Sequence, residues 1–117
     1  MKFYDNIPIY IQITNDIKEK IVREQIKENE KLPSIRENSV IYEVTSLTMQ
    51  RAMQKLESDG VIQTKKGVGS FIMEGSKLRL QQVMVQEQIS EFIIRMKNMG
   101  LSKNTIISLL KEGLDNE

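Results

Sequence analysis

The stretch "TSLTMQRAMQKLESDGVIQTKKGVGSFI", from Thr45 to Ile72, predicts a helix that leads directly into a short hairpin. Thr45 is a suitable N-cap, and Gly60 after Asp59 is a suitable stop. Residues at helical spacing predict one buried stripe, formed by Met49, Ala52, Met53 and Leu56. Polar residues at the same helical spacing lie on a roughly opposed face, namely Thr48, Arg51 and Lys55. The helix therefore packs by one face and presents cations on the other.

The hairpin sequence "VIQTKKGVGSFI" contains two short strand segments that flank a predicted turn, Lys65–Gly69. Two glycines, Gly67 and Gly69, allow the tip to adopt positive φ and to approach another surface closely. Two lysines, Lys65 and Lys66, lie beside them and are suited to contact phosphate. Lysines at such a place also discourage edge-to-edge pairing of strands.

Upstream, "KLPSIRE" contains a capping box in which Ser34 and Glu37 each satisfy a backbone N–H of the other. It predicts a short helix from Ile35 to about Tyr42. Glu43-Val44 then has the length of the turn in a helix-turn-helix. Leu32 is expected to point inward and to form a single β-bridge.

A helix is also predicted nearer the N-terminus, from Asp5 to about Gln25. Its apolar residues at helical spacing are Tyr10, Ile13, Ile17 and Ile21. Asp5 or Asn6 is expected to cap it, with Pro8 in the first turn, where the missing N–H costs nothing.

Composition excludes several functions. The chain has 117 residues, no Cys and no His, so disulfides, thiolate metal sites and histidine general bases are absent. No Ser-Lys or paired-carboxylate signature supports catalysis, and no enzyme, cofactor or metal is expected. No apolar run approaches the ~18 residues of a membrane span, which predicts a cytoplasmic protein without a membrane partner.

A change of composition at "MEGSK" predicts a boundary, with residues 1–73 forming one domain and residues 74–117 a helical region. Two further helices are expected there, interrupted at Gly100, with Ser102 capping the second. Two helices alone bury their apolar stripe only partly, so a partner subunit is its natural cover. The predicted dimerisation residues are Leu78, Val85, Ile89, Phe92, Met96, Ile106, Leu109 and Leu110. An adaptable ligand surface formed by the Met residues is the alternative.

The order of elements predicts a mainly α fold with a small β-hairpin, namely an N-terminal winged helix-turn-helix followed by a C-terminal two-helix dimerisation region. Such a fold suits duplex DNA, because a helix enters the major groove while the hairpin and the preceding helix hold phosphates. The motifs "PIYIQI", "KLPSIRE", "SLTMQRAMQKLESDGVI" and "KKGVGSFI" resemble, in order and separation, the signature of the GntR family of bacterial transcription regulators. The short tail is similar to that of its YtrA subfamily, where two helices per subunit form the dimer interface.

The resemblance implies a cytoplasmic homodimer that regulates transcription, with repression expected, by binding a palindromic DNA operator. Whether a small-molecule effector binds is not specified. Arg36 matches an Arg that such regulators place on DNA, Thr45 and Thr48 match hydroxyl positions, and Arg51 matches a basic position of the subfamily. Together with the residues named for the hairpin, the predicted DNA-binding set is Ser34, Arg36, Thr45, Ser46, Thr48, Gln50, Arg51, Lys55, Lys65, Lys66, Gly67 and Gly69.

The chain departs from the family pattern at four places. Ser46 and Gln50 replace arginines, and a Gln can pair with adenine where an Arg would read guanine. Asn38 replaces a core Leu, and Glu28-Asn29 replaces a Pro-Gly turn, which bears on local stability.

Less specific interpretations remain open for the charged residues. Arg36 could form an ion pair with Glu37 or Glu43, and Arg51 with Lys55 could be an ordinary solvated face. The net charge of +1 supports an alternative function, a winged-helix module that binds other proteins without DNA.

Overall fold

The structure, a computed structural model, describes residues Met1–Glu117 and contains five helices and one two-stranded antiparallel sheet. In chain order the elements are α1 (Ile9–Val22), α2 (Ile35–Tyr42), α3 (Ser46–Ser58), β1 (Ile62–Lys65), β2 (Gly69–Ile72), α4 (Ser76–Asn98) and α5 (Lys103–Asp115). The predicted fold class, mainly α with a small hairpin, is confirmed. None of the helices combines the length and the apolar character needed to cross a membrane.

Helices α2 and α3 begin at the predicted residues because both predicted caps form. The Ser34 hydroxyl accepts from the Glu37 N–H at 3.0 Å, and the Glu37 carboxylate accepts from the Ser34 N–H at 3.2 Å. Helix α2 ends at Tyr42, and its C-cap Glu43 adopts a left-handed conformation with φ of 56°. Thr45 then caps α3, its hydroxyl accepting from the Thr48 N–H at 3.2 Å. Local side-chain chemistry thus defines the turn between the two helices.

The core lies between the first three helices and the hairpin. The stripe predicted on α3 is buried in full, and α1 faces it with Ile13, Ile17 and Ile21. The other buried apolar residues of this core are Leu32, Tyr42, Val61, Ile62, Ile72 and Leu80. Because one face of α3 is committed to this core, its opposite face is held towards solvent.

Two polar contacts tie α1 to its neighbours. Asp59, the C-cap of α3, accepts from Lys18 of α1 at 2.8 Å and from Lys55 at 3.1 Å. Burial alone would raise the pKa of Asp59, but the two lysine hydrogen bonds outweigh it and lower that pKa. At the end of α2, the Tyr42 phenol donates to Asp16 of α1 at 2.7 Å. Burial, followed by this hydrogen bond, raises the pKa of Tyr42, so the phenol stays a donor.

The N-terminus of α1 differs from the prediction. The helix begins at Ile9 with Pro8 as N-cap and has no side-chain cap, so the expected caps Asp5 and Asn6 are wrong. Instead the buried Gln12 amide donates to the carbonyls of Tyr4 and Ile7, both at 2.8 Å. A side chain from inside the helix therefore organises the preceding turn.

The hairpin also differs in detail. Lys65 pairs with Gly69 in the β1–β2 ladder, so both residues belong to strands and the turn is confined to the three residues between them. The isolated bridge joins Lys31, not Leu32, to Phe71. Leu32 points into the core as expected, and its N–H donates to the Ser70 carbonyl at 2.8 Å.

The chain divides into two compact units, Met1–Gln81 and Gln82–Glu117. The boundary expected after residue 73 coincides with the end of the hairpin, whereas the first turns of α4 belong to the N-terminal unit, because Leu80 joins its core. Helix α4 ends before Gly100, which has φ of 81°, and Ser102 caps α5 by accepting from the Thr105 N–H at 3.2 Å, as the sequence predicted.

Asn38 and Asn29, two of the departures from the family pattern, are structurally accommodated. Buried Asn38 donates its amide N–H to the Pro33 carbonyl at 2.9 Å, so its polar group is not left unpaired. Asn29 has φ of 68°, a left-handed conformation that Asn tolerates better than other non-glycine residues.

Glu28 has a role that its position in a turn does not reveal. Its carboxylate accepts from the backbone N–H of Gly75 at 2.9 Å and from that of Lys77 at 3.1 Å. These groups lie at the start of α4, so Glu28 caps this helix from a distant part of the sequence. The same hydrogen bonds, Gly75 first, hold the pKa of Glu28 below its ordinary value.

Replacing Glu28 by Gln should lower the thermal unfolding temperature at neutral pH, because the charge and one acceptor are lost. A lowered pKa contributes stability above the ordinary glutamate value of about 4.3 and loses it as pH falls through the folded-state value. The difference between wild type and Glu28→Gln should therefore disappear in acid. Glu30→Gln is the control, since the Glu30 side chain is exposed and unpaired; an equal loss in both variants would contradict this role.

Candidate nucleic-acid interface

The solvent face of α3 carries side chains able to contact a partner. Leu47, Gln50, Arg51 and Gln54 are all exposed. A helix turns by about 100° per residue, so Leu47 and Arg51 each lie roughly 160° from buried Met49. Arg51 forms no ion pair, and its guanidinium is available for binding.

Two hydroxyl residues at the start of α3 are linked by hydrogen bonds. Thr45 accepts from the Thr48 N–H and donates its own hydroxyl proton to the Thr48 hydroxyl oxygen at 2.9 Å. Thr48 is half-buried and keeps its own hydroxyl proton for an outside acceptor. Ser46 is exposed beside it. Capping and contact with a partner are thus compatible at Thr48.

The start of α2 adds a second exposed cation. Arg36 is exposed and forms no ion pair, so the alternative in which Glu37 or Glu43 neutralises it is wrong. Glu37 serves the capping box instead, and the Ser34 hydroxyl is its partner there. The hydrogen bonds from the Ser34 backbone, and then from its side chain, lower the pKa of Glu37.

The hairpin tip presents two lysines without carboxylate partners. Lys65 holds its ammonium 4.9 Å from the centroid of the Phe71 ring, and Lys66 is exposed in the turn. Gly67 has φ of 77° with open space around it, so the turn itself requires this glycine. The positive φ of Gly67 and the packing of Lys65 on the Phe71 ring thus define the conformation in which the tip presents the two lysines.

Gly69 has an intramolecular role that the sequence did not indicate. Its φ is 144°, and a Cβ there would lie 2.5 Å from Cε of Lys31. The Lys31 side chain thus crosses the hairpin in the space that this glycine leaves. Lys31 adds an exposed cation without an ion-pair partner to the hairpin, beside Lys65 and Lys66.

Lys55 is less available than Arg51. Its ammonium lies 3.1 Å from Asp59, as the solvated-face alternative suggested. Exposed pairs of this kind contribute roughly 0–1 kcal/mol, so a phosphate can displace the carboxylate at low cost.

Three residues of this surface were missed by sequence reasoning: Lys31, Leu47 and Gln54. The helical angle from the buried stripe could have identified Leu47 and Gln54. Lys31 required the structure, because its place depends on strand pairing with Phe71.

The predicted dimerisation residues do not all lie on one surface. Most are exposed, whereas Phe92 and Met96 are half-buried and Ile106 is buried. Leu78 lies in the N-terminal unit, and the others lie in the unit Gln82–Glu117. Between α4 and α5 runs an open groove of about 740 Å³, lined mainly by apolar residues that include Ile89, Phe92 and Leu110.

A helix-turn-helix followed by a hairpin, with free cations on both, defines a winged helix-turn-helix protein of the DNA-binding class. Residues 9–72 match the family "Bacterial regulatory proteins, gntR family". The chain belongs to the GntR family and is a DNA-binding transcriptional regulator.

Two curated relatives from Bacillus subtilis strain 168 are similar over most of their length. The HTH-type transcriptional regulator YhcF is 32% identical over 112 residues, which cover 94% of this chain and 93% of YhcF. The HTH-type transcriptional repressor YtrA is 33% identical over 108 residues, covering 90% of this chain and 83% of YtrA.

Solved structures share the fold. A GntR family transcriptional regulator from Listeria monocytogenes superposes with a TM-score of 0.84 at 33% identity, covering 94% of this chain and 98% of that one. The DNA-binding domain of AraR, solved in complex with the operator ORX1, has a TM-score of 0.57 at 25% identity and covers 61% of this chain and 92% of that one.

Gly69→Ala should destabilise the protein more than Gly67→Ala. Alanine at Gly67 meets the cost of a left-handed backbone, about 1–2 kcal/mol, whereas Gly69 has φ of 144°, a value that residues with a side chain rarely adopt. The exposed end of the Lys31 side chain can move away from an added Cβ, so it contributes little to the loss. Urea unfolding measures both losses. The difference between the two variants should persist in a Lys31→Ala background. A Gly69→Ala loss that falls there to the Gly67→Ala value would show that Lys31, and not the backbone, is the obstacle.

Proposed function

We propose that two copies of this chain bind one palindromic operator and repress transcription in the bacterial cytoplasm. Each copy inserts the N-terminal half of α3 into a major groove. The observation that carries this proposal is the solvent face of α3, where Arg51 is exposed and free of ion pairs beside polar side chains. The operator complex of the AraR domain, a structural relative, supports the same use of the fold.

Within this proposal the residues divide into two roles. Thr48, Gln50 and Arg51 read base edges, since amide and guanidinium groups form bidentate hydrogen bonds with adenine and guanine respectively. The cations at the α2 start, the α3 flank and the hairpin contact phosphates and set the register on the duplex: Arg36, Lys55, Lys65 and Lys66.

Dimerisation is proposed to occur through the unit Gln82–Glu117. Two helices leave Ile89, Leu109 and Leu110 about half exposed, at 47%, 52% and 44%. A stripe of this kind, continuous with the groove between α4 and α5, is an unfavourable surface for a lone subunit in water. A second copy presents the same stripe, so a two-fold arrangement covers both.

The dimer is needed for affinity as well as for symmetry. One winged domain with few phosphate contacts is expected to bind DNA weakly at physiological salt, on the order of the non-specific range. Linking two domains raises the effective concentration of the second and can increase avidity by roughly 100-fold or more. Any change in the spacing of the two domains would therefore alter binding.

Selection from a random pool of duplexes should yield a palindrome, and affinity for it should fall steeply with salt. The double variant Arg51→Ala, Lys65→Ala should bind at least about tenfold more weakly, since each change removes a base or phosphate contact. Fluorescence anisotropy against salt measures both effects. The control Arg23→Ala, Lys111→Ala removes equal charge from exposed, unpaired residues elsewhere and should change affinity little.

Equal affinities for the two double variants would contradict the assignment of these residues. Recovery of no preferred sequence, with binding below the non-specific range, would contradict the function itself. That second result would favour a winged-helix module that binds other proteins.

Ile89→Glu should convert the dimer into a monomer, because a charge on the shared stripe is not solvated once the stripe is covered. Sedimentation equilibrium should give twice the 13.6 kDa chain mass for wild type and the single mass for the variant. Ser90→Glu adds the same charge at the neighbouring residue, which is exposed and does not line the groove between α4 and α5. This variant should remain dimeric. A monomeric wild type at micromolar concentration would overturn the dimer.

A further inference from the structure

A large apolar side chain lies near the centre of the polar face of α3. Leu47 is the second residue of the helix and is 61% exposed. It takes no part in the core, and Arg51 follows it one turn later on the same face. Single exposed apolar residues are common on proteins, so exposure alone assigns no role.

Its position gives Leu47 a more specific meaning if α3 enters a major groove. Residues at the start of such a helix come closest to the base edges. A leucine there neither donates nor accepts hydrogen bonds. Placed against a base nitrogen or oxygen, it would displace water and leave that polar atom unpaired, which is unfavourable.

One group on the major-groove edge of the bases is apolar, the 5-methyl group of thymine. Cytosine has the same ring but presents an amino donor and no methyl, so leucine would leave its donor unpaired. Guanine and adenine present acceptor nitrogens instead. Thymine also presents the O4 acceptor, but it is the only one of the four bases that offers Leu47 a methyl group to contact.

We propose that Leu47 is a specificity-determining residue that contacts the 5-methyl group of one thymine in each operator half-site. The inference rests on the proposed function and adds a base preference to it. Arg51 and Gln50 select by hydrogen bonds, while Leu47 selects by apolar contact on the same helix face. The position would favour thymine strongly over cytosine.

Thr48 is the competing source of the same contact, because its side chain also carries a methyl group. It is half-buried and its hydroxyl oxygen is engaged by Thr45, whereas Leu47 projects freely. A Thr48→Ser variant removes the methyl and keeps the hydroxyl, so it separates the two residues experimentally.

The test uses the full-length protein and the operator obtained by selection, with each thymine replaced in turn by deoxyuridine. This change removes the methyl and preserves base pairing. In wild type, one symmetric pair of positions should show a loss of about threefold to tenfold in affinity per half-site, the value of one buried methyl. In Leu47→Ala the same replacement should have little effect, and in Thr48→Ser the full loss should remain.

Other outcomes overturn the inference in distinguishable ways. If Leu47→Ala keeps the full uracil penalty, or if the penalty disappears in Thr48→Ser, Leu47 does not read the methyl, although the protein remains an operator-binding regulator. If wild type binds no selected duplex, the proposed function fails and the inference fails with it. Thermal unfolding of Leu47→Ala, an exposed position, should match wild type and excludes a folding defect.

Discussion

The burial of one face of α3 against α1 is the constraint on which the rest of the structure depends. Met49, Ala52 and Leu56 are fully buried, and Ile13 and Ile17 of α1 lie opposite in the same core. Rotation of α3 about its axis would expose these side chains, each worth roughly 1.5–3 kcal/mol when buried, apart from the smaller alanine. The core therefore determines which residues of α3 face solvent, and Arg51 is among them.

Side chains distant in sequence stabilise the elements around this helix. Asp59 joins the end of α3 to Lys18 of α1, and Tyr42 joins the end of α2 to Asp16. Glu28 holds the start of α4 by two backbone hydrogen bonds. None of these contacts uses Arg36, Arg51, Lys65 or Lys66, so these four proposed DNA-binding cations are not needed to hold the elements together.

The net charge of +1 is less informative than the placement of charge. Lys18, Lys20, Lys55 and Lys77 are paired with carboxylates in the N-terminal unit. Arg36, Arg51, Lys65 and Lys66 are not, and these residues belong to the elements proposed to contact DNA. A nearly neutral chain can thus present cations without ion-pair partners on particular elements, because net charge does not describe where the charges lie.

The sequence by itself determined the order of the elements, the caps of α2, α3 and α5, and the buried stripe of α3. These features depend on neighbours within four residues, where hydrogen-bond geometry and helical periodicity are sufficient. Of the proposed base-reading residues, Thr48 and Arg51 followed from the same periodicity and Gln50 from the family resemblance, whereas Leu47 was not predicted. Tertiary structure alone decided the contact of Lys31 with Gly69, the capping of α4 by Glu28 and the use of Gln12 at the start of α1. The Lys31 and Glu28 contacts join residues far apart in the chain, so no local sequence pattern encodes them. Gln12 donates to the carbonyls of Tyr4 and Ile7, and the conformation of the segment that carries these carbonyls depends on tertiary packing.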